Sequence, residues 1–199
     1  MSLDAAILGF LGERPRSGYD LKTRCFDVSA RAVWTADQAQ VYRTLERLQK
    51  ARLVSSSRTR QAGKPDRRVY QITAAGRESL EAWLATPQPM PAPRDPFLVQ
   101  LFFSAGSSDE TLLSLIAEQR AAHQVRLEDL RSQLAELATA PPLSGRATAL
   151  RAAALDGSVA QQRALIDWLD DTAEGIRQGA LPADPAVSDT GEARVTPSA

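Results

Sequence analysis

The 199-residue sequence predicts a mainly α-helical fold with one small β element. Apolar residues recur at helical spacing through the first fifty residues, and two short β-like runs follow, with a further helix after them. After a proline-rich stretch, two much longer helical patterns fill most of the remaining chain. Three helices, a two-stranded wing and a fourth helix form the order of an N-terminal winged helix-turn-helix, and the long helices suit a C-terminal dimerisation region.

The first two helices are predicted to be short. Apolar residues at helical spacing cover Leu3–Leu11, and the segment from Gly12 to Arg16 interrupts them. Ser17 is a suitable N-cap for a second helix over about Gly18–Ser29. This helix should turn three residues toward the core: Leu21, Cys25 and Phe26.

The third helix is predicted to begin at a capping box, in which Thr35 is followed three positions later by Gln38, and to end near Lys50. Val41, Leu45 and Leu48 share one face and should enter the core. The opposite face should carry Ala36, Ala39, Arg43, Glu46, Arg47 and Lys50, with Gln40 and Tyr42 beside them. Small residues near its start would allow this helix to approach base edges closely.

The wing is predicted from two β-like runs, Leu53–Arg60 and Arg67–Ile72, with Gln61–Asp66 as the turn between them. Thr73 should cap a fourth helix that ends at about Thr86.

Positive charge is concentrated on the third helix and the wing. Residues 38–70 contain nine Lys or Arg against two acidic residues, a net charge of +7. Residues 1–86 carry +6 and residues 87–199 carry −6, so the net charge of zero hides two opposite halves. A solvated basic face is the simplest explanation, but an Arg-rich helix followed by a basic hairpin favours a nucleic-acid module, because neutralising phosphates requires such clusters.

The second half begins with a predicted boundary. Residues 87–96 contain five prolines and should form a stiff linker. A short helix is expected over Phe97–Phe103, and a capping box of Ser107 with Glu110 should start a long helix over about Ser108–Ala138. Its apolar seam approximates a heptad pattern and consists of Leu112, Ile116, His123, Leu127, Leu130, Leu134 and Leu137.

The last predicted helix runs antiparallel over about Gly145–Gln178, with Leu150, Ala154, Gln161, Leu165, Trp168 and Ile176 as its apolar stripe. Two helices with an exposed seam need a partner, so dimerisation is assigned to Leu112, Ile116, Leu127, Leu130, Leu134, Leu137, Leu165 and Trp168. The predicted domains are residues 1–86, a linker at 87–96, residues 97–179, and a tail at 180–199 that is expected to be disordered.

Enzymatic chemistry finds no support in the sequence. One histidine and one cysteine exclude a His-based triad, a Cys/His metal site and a disulfide, and neither a metal nor a cofactor is expected. Asp167, Asp170 and Asp171 could in principle do acid–base work, but a solvated helix face explains them better. Cys25 is interpreted as a small buried hydrophobe rather than a redox-sensing thiol. The tryptophans could line a ligand pocket or act as core or interface anchors: Trp34, Trp83 and Trp168.

No run of apolar residues is long enough to span a membrane, and the N-terminus lacks the features of a signal peptide. A cytoplasmic location is therefore expected.

The segments AILGFLGERPRSGYDLKTR, WTADQAQVYRTLERLQKARLV and GKPDRRVYQITAAGRESLEAWL together resemble the PadR family of bacterial transcriptional regulators. The similarity covers residues 5–86 closely. The linker and the two long helices resemble, in layout, the C-terminal half of the longer PadR proteins that include virulence-gene activators. Arg43 departs from the family pattern, because many members have proline at this position.

The resemblance implies a homodimeric DNA-binding regulator, most often a repressor, and in some members a small aromatic or amphipathic effector. A two-fold dimer would set the two copies of the third helix against one side of the duplex, so the operator should be an inverted repeat. The third helix would enter the major groove and the wing would touch the neighbouring backbone of double-stranded DNA. The residues expected at the groove are Thr35, Gln38, Tyr42 and Arg43, and those expected mainly on phosphates are Arg47, Lys64, Arg67 and Arg68. The alternative is a winged-helix protein-interaction module that does not bind DNA.

Overall fold

The computed structural model describes residues 2–61, 64–90, 92, 94–139 and 145–180, with the backbone alone for residues 59–61 and 64–67. It forms two compact units, Met1–Pro91 and Ala92–Ala199. The first contains short helices and a small antiparallel sheet, and the second contains one short and two long helices. The predicted fold class, mainly α with a β wing, is confirmed.

The first unit starts with α1 over Ser2–Glu13, the two-residue strand β1 over Arg16–Ser17 and a short α2 over Gly18–Asp20. Ser17 caps α2 as predicted: its Oγ accepts a hydrogen bond from the Asp20 amide at 3.1 Å. The Asp20 carboxylate in turn accepts one from the Ser17 amide at 3.2 Å. The two residues therefore form a complete capping box.

The chain continues from α2 into a π-helix over Leu21–Ser29, where the sequence predicts ordinary helix. Its last turn closes with a bond of 2.7 Å from the Ala30 amide to the Cys25 carbonyl, five residues earlier. The predicted inward residues Leu21, Cys25 and Phe26 are all buried, so Cys25 fills core space as expected.

The recognition-type helix α3 spans Gln38–Lys50. Asp37 is its N-cap, because the Asp37 carboxylate accepts from the Gln40 amide at 2.7 Å and the Gln40 side chain accepts from the Asp37 amide at 2.9 Å. The prediction that Thr35 and Gln38 form the capping box is therefore wrong by two residues. Ala36 lies before the helix and is buried in the core, although the sequence suggested an outward position.

The wing consists of β2 over Val54–Gln61 and β3 over Lys64–Ile72, in the sheet order β1-β3-β2. All neighbouring strands are antiparallel, with Val54 opposite Ile72 and Arg16 opposite Tyr70. The strands extend beyond the predicted ends, into residues that the turn-like composition assigned to a loop. An irregularity between Thr59 and Gln61 shifts the register and lets pairing resume at Gln61 and Lys64.

Helix α4 spans Ala74–Ala85 and is capped by Thr73 as predicted, since its Oγ1 accepts from the Gly76 amide at 3.0 Å. The Thr73 hydroxyl also lies 2.9 Å from the Arg52 carbonyl oxygen, which it can donate to. Gly76 lies so close to Leu53 that a Cβ would come within 2.1 Å of the Leu53 carbonyl oxygen. These contacts fix the start of α4 against the segment that leads from α3 into the wing.

A single buried cluster connects α1, the π-helix, α3 and the sheet. The predicted core residues of α3 are confirmed, because Val41, Leu45 and Leu48 are all buried. The remaining members of this cluster come from α1, the π-helix, the segment before α3 and the two wing strands: Ile7, Leu8, Leu11, Leu21, Cys25, Phe26, Ala36, Val54, Tyr70 and Ile72.

The second unit contains α5 over Pro96–Phe102, α6 over Asp109–Thr139 and α7 over Gly145–Arg177. Asp95 caps α5. Helix α6 begins after Ser108, whose Oγ accepts from the Thr111 amide at 3.3 Å, so the predicted cap at Ser107 is wrong by one residue. The predicted seam of α6 does face inward, with Ile116, Leu127 and Leu130 fully buried.

The predicted apolar stripe of α7 is wrong. The buried residues are Leu155, Val159, Ile166, Leu169, Ala173 and Ile176, of which only Ile176 was expected. Leu150 is 60% exposed, and Ala154, Gln161 and Trp168 also lie on the accessible side. Several predicted positions precede a buried one by a single residue, which turns them about 100° around the helix.

No helix among the described residues is both long enough and apolar enough to cross a membrane.

Candidate nucleic-acid interface

The exposed face of α3 is polar and basic, as its sequence pattern predicts. Its start is held by the Asp37 capping box, and its inner face is fixed by buried apolar residues together with the buried Thr44. The outer face consists of Gln38, Ala39, Gln40, Tyr42, Arg43, Glu46, Arg47 and Lys50. Thr35 is exposed but lies before the helix, so it is displaced from this face.

Tyr42 and Arg43 occupy the accessible surface of α3 in different ways. The Tyr42 side chain is 38% exposed and its ring lies against the backbone of Gly18 at the start of α2. Arg43 is exposed, and within the described part of the chain no hydrogen bond or ion pair occupies its guanidinium. Arg43 is therefore available to an external acceptor, whereas Tyr42 is held in place by packing.

Arg47 has an internal partner. Its guanidinium forms an ion pair with the carboxylate of Asp4 in α1, although the Arg47 side chain remains largely exposed. Solvent weakens such an exposed pair. The pair joins the last turn of α3 to the first turn of α1, and no local pattern in the sequence predicts it.

Arg68 has three contacts that hold its side chain in the wing. Its Nη2 donates to Gln49 Oε1 at 2.7 Å, and its Nε donates to Ser56 Oγ at 3.0 Å. The guanidinium carbon lies 5.3 Å from the ring centroid of Tyr70, in cation–π contact. Arg68 thus contacts α3, β2 and its own strand. Lys64 and Arg67 are residues of β3, and the structure describes their backbone but not their side chains.

Tyr70 lies beneath Arg68 in the core and is only 3% exposed. Burial raises the pKa of the Tyr70 hydroxyl above its ordinary value, while the nearby charge of Arg68 acts in the opposite direction. A tyrosine hydroxyl is already neutral near pH 7, and the raised pKa extends this neutral state to higher pH.

The polar contacts of Arg68 with α3 and β2 were not predicted from the sequence. Arg68 and Tyr70 are two positions apart on one strand, so they share a face. Since Tyr70 fits a core position, this alternation could have indicated that Arg68 contacts the body of the unit, although its side chain remains exposed. Gln49 gave no such signal.

An open cleft of about 470 Å³ lies between the π-helix and the start of α3. Its lining includes Lys22, Phe26, Asp27, Arg31 and Gln40, and Lys22 pairs with Asp27. No tryptophan lines it. Trp168 instead packs edge-to-face on Phe97 with ring centroids 6.2 Å apart.

In the part of the chain that the structure describes, the potential metal-binding side chains do not converge. Among the described residues, no group of three or more His, Cys, Asp or Glu side chains could hold a metal ion. Asp170, one of the three carboxylates considered above, pairs with Arg120 through two hydrogen bonds of 2.6 and 3.0 Å. His123 Nδ1 lies 2.7 Å from Gln162 Oε1 and links α6 to α7.

Comparison with known families gives two matches that together cover most of the chain. Residues 7–82 match the transcriptional regulator PadR-like family, and residues 93–177 match the family described as virulence activator alpha C-term.

Two curated proteins show the same relationship. A Mycobacterium tuberculosis protein named "Probable transcriptional regulator Rv1176c" is 32% identical over 190 residues, which cover 89% of this chain and 99% of that protein. The negative transcriptional regulator PadR of Bacillus subtilis is 31% identical over 144 residues, which cover 71% of this chain and 79% of that protein.

Solved structures share the fold. Bacillus subtilis PadR in complex with operator DNA matches with a TM-score of 0.77 and 25% identity, over 88% of this chain and 99% of that one. Bacillus subtilis PadR in complex with p-coumaric acid matches with a TM-score of 0.74 and 24% identity, over 89% and 99% of the two chains.

Proposed function

The chain belongs to the PadR-like family of transcriptional regulators, which are not enzymes, and on this premise we propose that it is a homodimeric repressor that binds an inverted-repeat operator. The observation that carries the proposal is the outer face of α3, where Arg43 is exposed and has no intrachain partner among the described residues. The solved PadR–operator complex, which shares this fold, supports double-stranded DNA as the partner.

Base readout is proposed for the first half of α3. A helix lying in the major groove presents its N-terminal residues to base edges, which fits Gln38, Tyr42 and Arg43, with Thr35 just before them. A guanidinium without an internal partner can donate two hydrogen bonds to guanine, so Arg43 is assigned the main discriminating contact.

Phosphate contacts are proposed for the wing and the end of α3. Lys64 and Arg67 lie on β3 of the wing, and Arg47 lies in the last turn of α3. Such contacts supply affinity for any sequence and make it salt-dependent. Arg47 must share its charge with Asp4, so we expect its contribution to be smaller than that of a free arginine.

Dimerisation is proposed for the second unit. Its exposed apolar residues include Phe102 at 81% and Phe103 at 76% exposure, and Leu98, Val99 and Leu150 are also accessible. Ile116, Leu127 and Leu130 are already buried within one chain, whereas Leu112, Leu134, Leu137 and Leu165 are half-buried and Trp168 is exposed. A partner can therefore cover the half-buried and exposed residues of this set, which are Leu112, Leu134, Leu137, Leu165 and Trp168. A two-fold dimer would place two α3 helices on one side of the duplex.

Repression, effector control and domain roles extend this proposal. The Bacillus subtilis relative is named a negative regulator, which supports repression. A small aromatic or amphipathic effector that releases DNA is also proposed, and the solved complex of the Bacillus subtilis protein with p-coumaric acid supports the binding of such a ligand. DNA binding is assigned to residues 1–86, the linker to 87–96 and dimerisation to 97–179, and a cytoplasmic location fits this role. The tail at 180–199 is predicted to be disordered. Its residues 181–199 lie outside the described part of the chain.

A binding assay tests the proposal. Fluorescence anisotropy should compare a duplex from upstream of the protein's own gene with a random duplex of equal length. We expect tighter binding to the upstream duplex and a steep loss of affinity with salt. Equal and salt-insensitive signals for both duplexes would instead support a protein-interaction module.

A further inference from the structure

We propose that Arg68 is a positioning residue, which holds the wing at a fixed angle to α3 instead of binding a phosphate. The inference rests on the proposed DNA-binding function and assigns a different role to one residue of that site. It follows from the three contacts of the guanidinium, which engage α3, β2 and β3 at once.

The register of the wing explains why Arg68 points toward α3. Alternate residues of a strand share a face, so Arg68 lies on the same side of β3 as the buried Tyr70 and Ile72. Ser56 is directly opposite Tyr70 in β2, which places it diagonally across from Arg68 on that face. The long arginine side chain spans this diagonal and reaches the end of α3.

The hydrogen bonds use two different nitrogen atoms of the guanidinium. Nη2 binds Gln49 in the last turn of α3, and Nε binds Ser56 in β2, while the planar group stays over the ring of Tyr70. A lysine ammonium can match the charge but not this planar, forked arrangement. The contacts therefore fix both the position and the orientation of the side chain.

The opposite residue strengthens this interpretation. Arg58 is directly across from Arg68 in the wing, and like charges at such a pair are destabilising. Arg58 is exposed and has no intrachain partner among the described residues, whereas Arg68 is held by α3 and β2. The two arginines thus provide a matched pair, one fixed and one free, on one rung of the hairpin.

The expected consequence is geometric. A winged helix contacts DNA with α3 and the wing together, so the angle between them decides whether both contacts can form on one site. Loss of the Arg68–Gln49 link should let the hairpin tilt relative to α3, because among the described residues only its base is held by the buried Val54, Tyr70 and Ile72. The misalignment of α3 and the wing should weaken binding to the operator. The number of phosphates that the protein neutralises should not change.

Gln49→Met gives the sharpest test because it removes the acceptor but keeps the side-chain length and the charge of the protein. Full-length variants are titrated by fluorescence anisotropy on the upstream duplex at several salt concentrations. We expect Gln49→Met to bind about tenfold more weakly with an unchanged salt slope. Arg68→Lys should not restore wild-type affinity, and Gln49→Met combined with Arg68→Ala should bind no more weakly than Arg68→Ala alone.

Arg58→Ala is the matched control, since it removes a charge from the same rung without breaking a link to α3. It should leave the effect of Gln49→Met unchanged in the double variant. Circular dichroism and thermal unfolding confirm that each variant is folded. Wild-type affinity for both Gln49→Met and Arg68→Lys would overturn the proposal and return Arg68 to the phosphate contacts. Absence of DNA binding by the wild-type protein would be a failure of the proposed function instead.

Discussion

The ring of Tyr42 lies directly against the backbone of Gly18. A Cβ placed on Gly18 would come within 2.6 Å of Tyr42 Cε1 and 2.9 Å of Cζ, closer than unstrained carbon atoms allow. Glycine is therefore required at the start of α2 for Tyr42 to hold this position on α3. The contact joins the two helices of the helix-turn-helix at the surface proposed to face DNA.

Gly18→Ala should displace the Tyr42 ring. Because the ring is partly exposed and can move, we expect a loss of about 1 kcal/mol in the free energy of unfolding. Affinity for the upstream duplex should also fall. Thermal unfolding and anisotropy measure the two effects. Gly9→Ala is the control, since a Cβ at Gly9 meets no atom within 4 Å. Wild-type values for Gly18→Ala in both assays would contradict the packing argument.

Arg43→Ala should reduce discrimination between sequences. A bidentate guanine contact contributes about 1–3 kcal/mol, so binding to the upstream duplex should weaken by that amount. Binding to a random duplex should change much less. Competition anisotropy with both duplexes measures the difference. Equal losses on the two duplexes would place Arg43 among the phosphate contacts.

Lys64→Ala combined with Arg67→Ala should weaken binding to every duplex. The slope of log affinity against log salt should decrease by about one unit for each phosphate contact that is lost. Arg146→Ala, on the exposed start of α7, removes a charge from the other unit and serves as the control. An unchanged salt slope in the wing variant would disprove the assignment.

Phe102→Asp should disrupt the dimer while leaving the chain folded, because this side chain is exposed and contributes little to the core of one chain. Placing a carboxylate in an apolar interface leaves it desolvated without a partner. Sedimentation velocity should show a shift toward monomer. Leu84→Asp tests an exposed apolar residue of the first unit and should remain dimeric.

A truncation after Thr86 should be a folded monomer that binds a half-site weakly. A monomeric wild-type protein would refute the dimer.

Asp170 provides a pH-dependent prediction. Its hydrogen bonds with Arg120 hold the pKa of the carboxyl below its ordinary value. A depressed pKa in the folded state means that the pair stabilises the fold above the unfolded-state pKa, and that this contribution is lost as pH falls through the folded-state value. Carboxyl chemical shifts followed by NMR should show the pKa of Asp170 rising in Arg120→Gln. Arg146→Gln should leave the titration unchanged, and a wild-type curve for Arg120→Gln would contradict the assignment.

The sequence predicts most of the first unit because its signals are local. The apolar spacing of Val41, Leu45 and Leu48 specifies the inner face of α3, and Thr73 has the chemistry of an N-cap. Where two local capping patterns compete, local sequence alone cannot decide which of them forms. Thr35 with Gln38 and Asp37 with Gln40 are equivalent capping patterns, and the choice between them depends on Ala36 entering the core.

The inward face of α7 was unpredictable for a related reason. Leu165 and Ile166 are both apolar, as are Trp168 and Leu169, so two adjacent stripes have similar composition. The face that meets α6 is decided by complementary packing along two helices of 31 and 33 residues. The role of Arg68 likewise depends on contacts with residues that are distant in sequence, which periodicity on a single strand cannot identify.

The pairing of β1 with β3 constrains the order in which the chain can fold. Arg16 and Ser17 find their strand partners only at Tyr70 and Val69, beyond α3 and most of the wing. During synthesis from the N-terminus, this part of the sheet must wait until β3 has left the ribosome. The hairpin of β2 and β3 closes between near neighbours, so it is suited to form first and to serve as the template on which β1 docks.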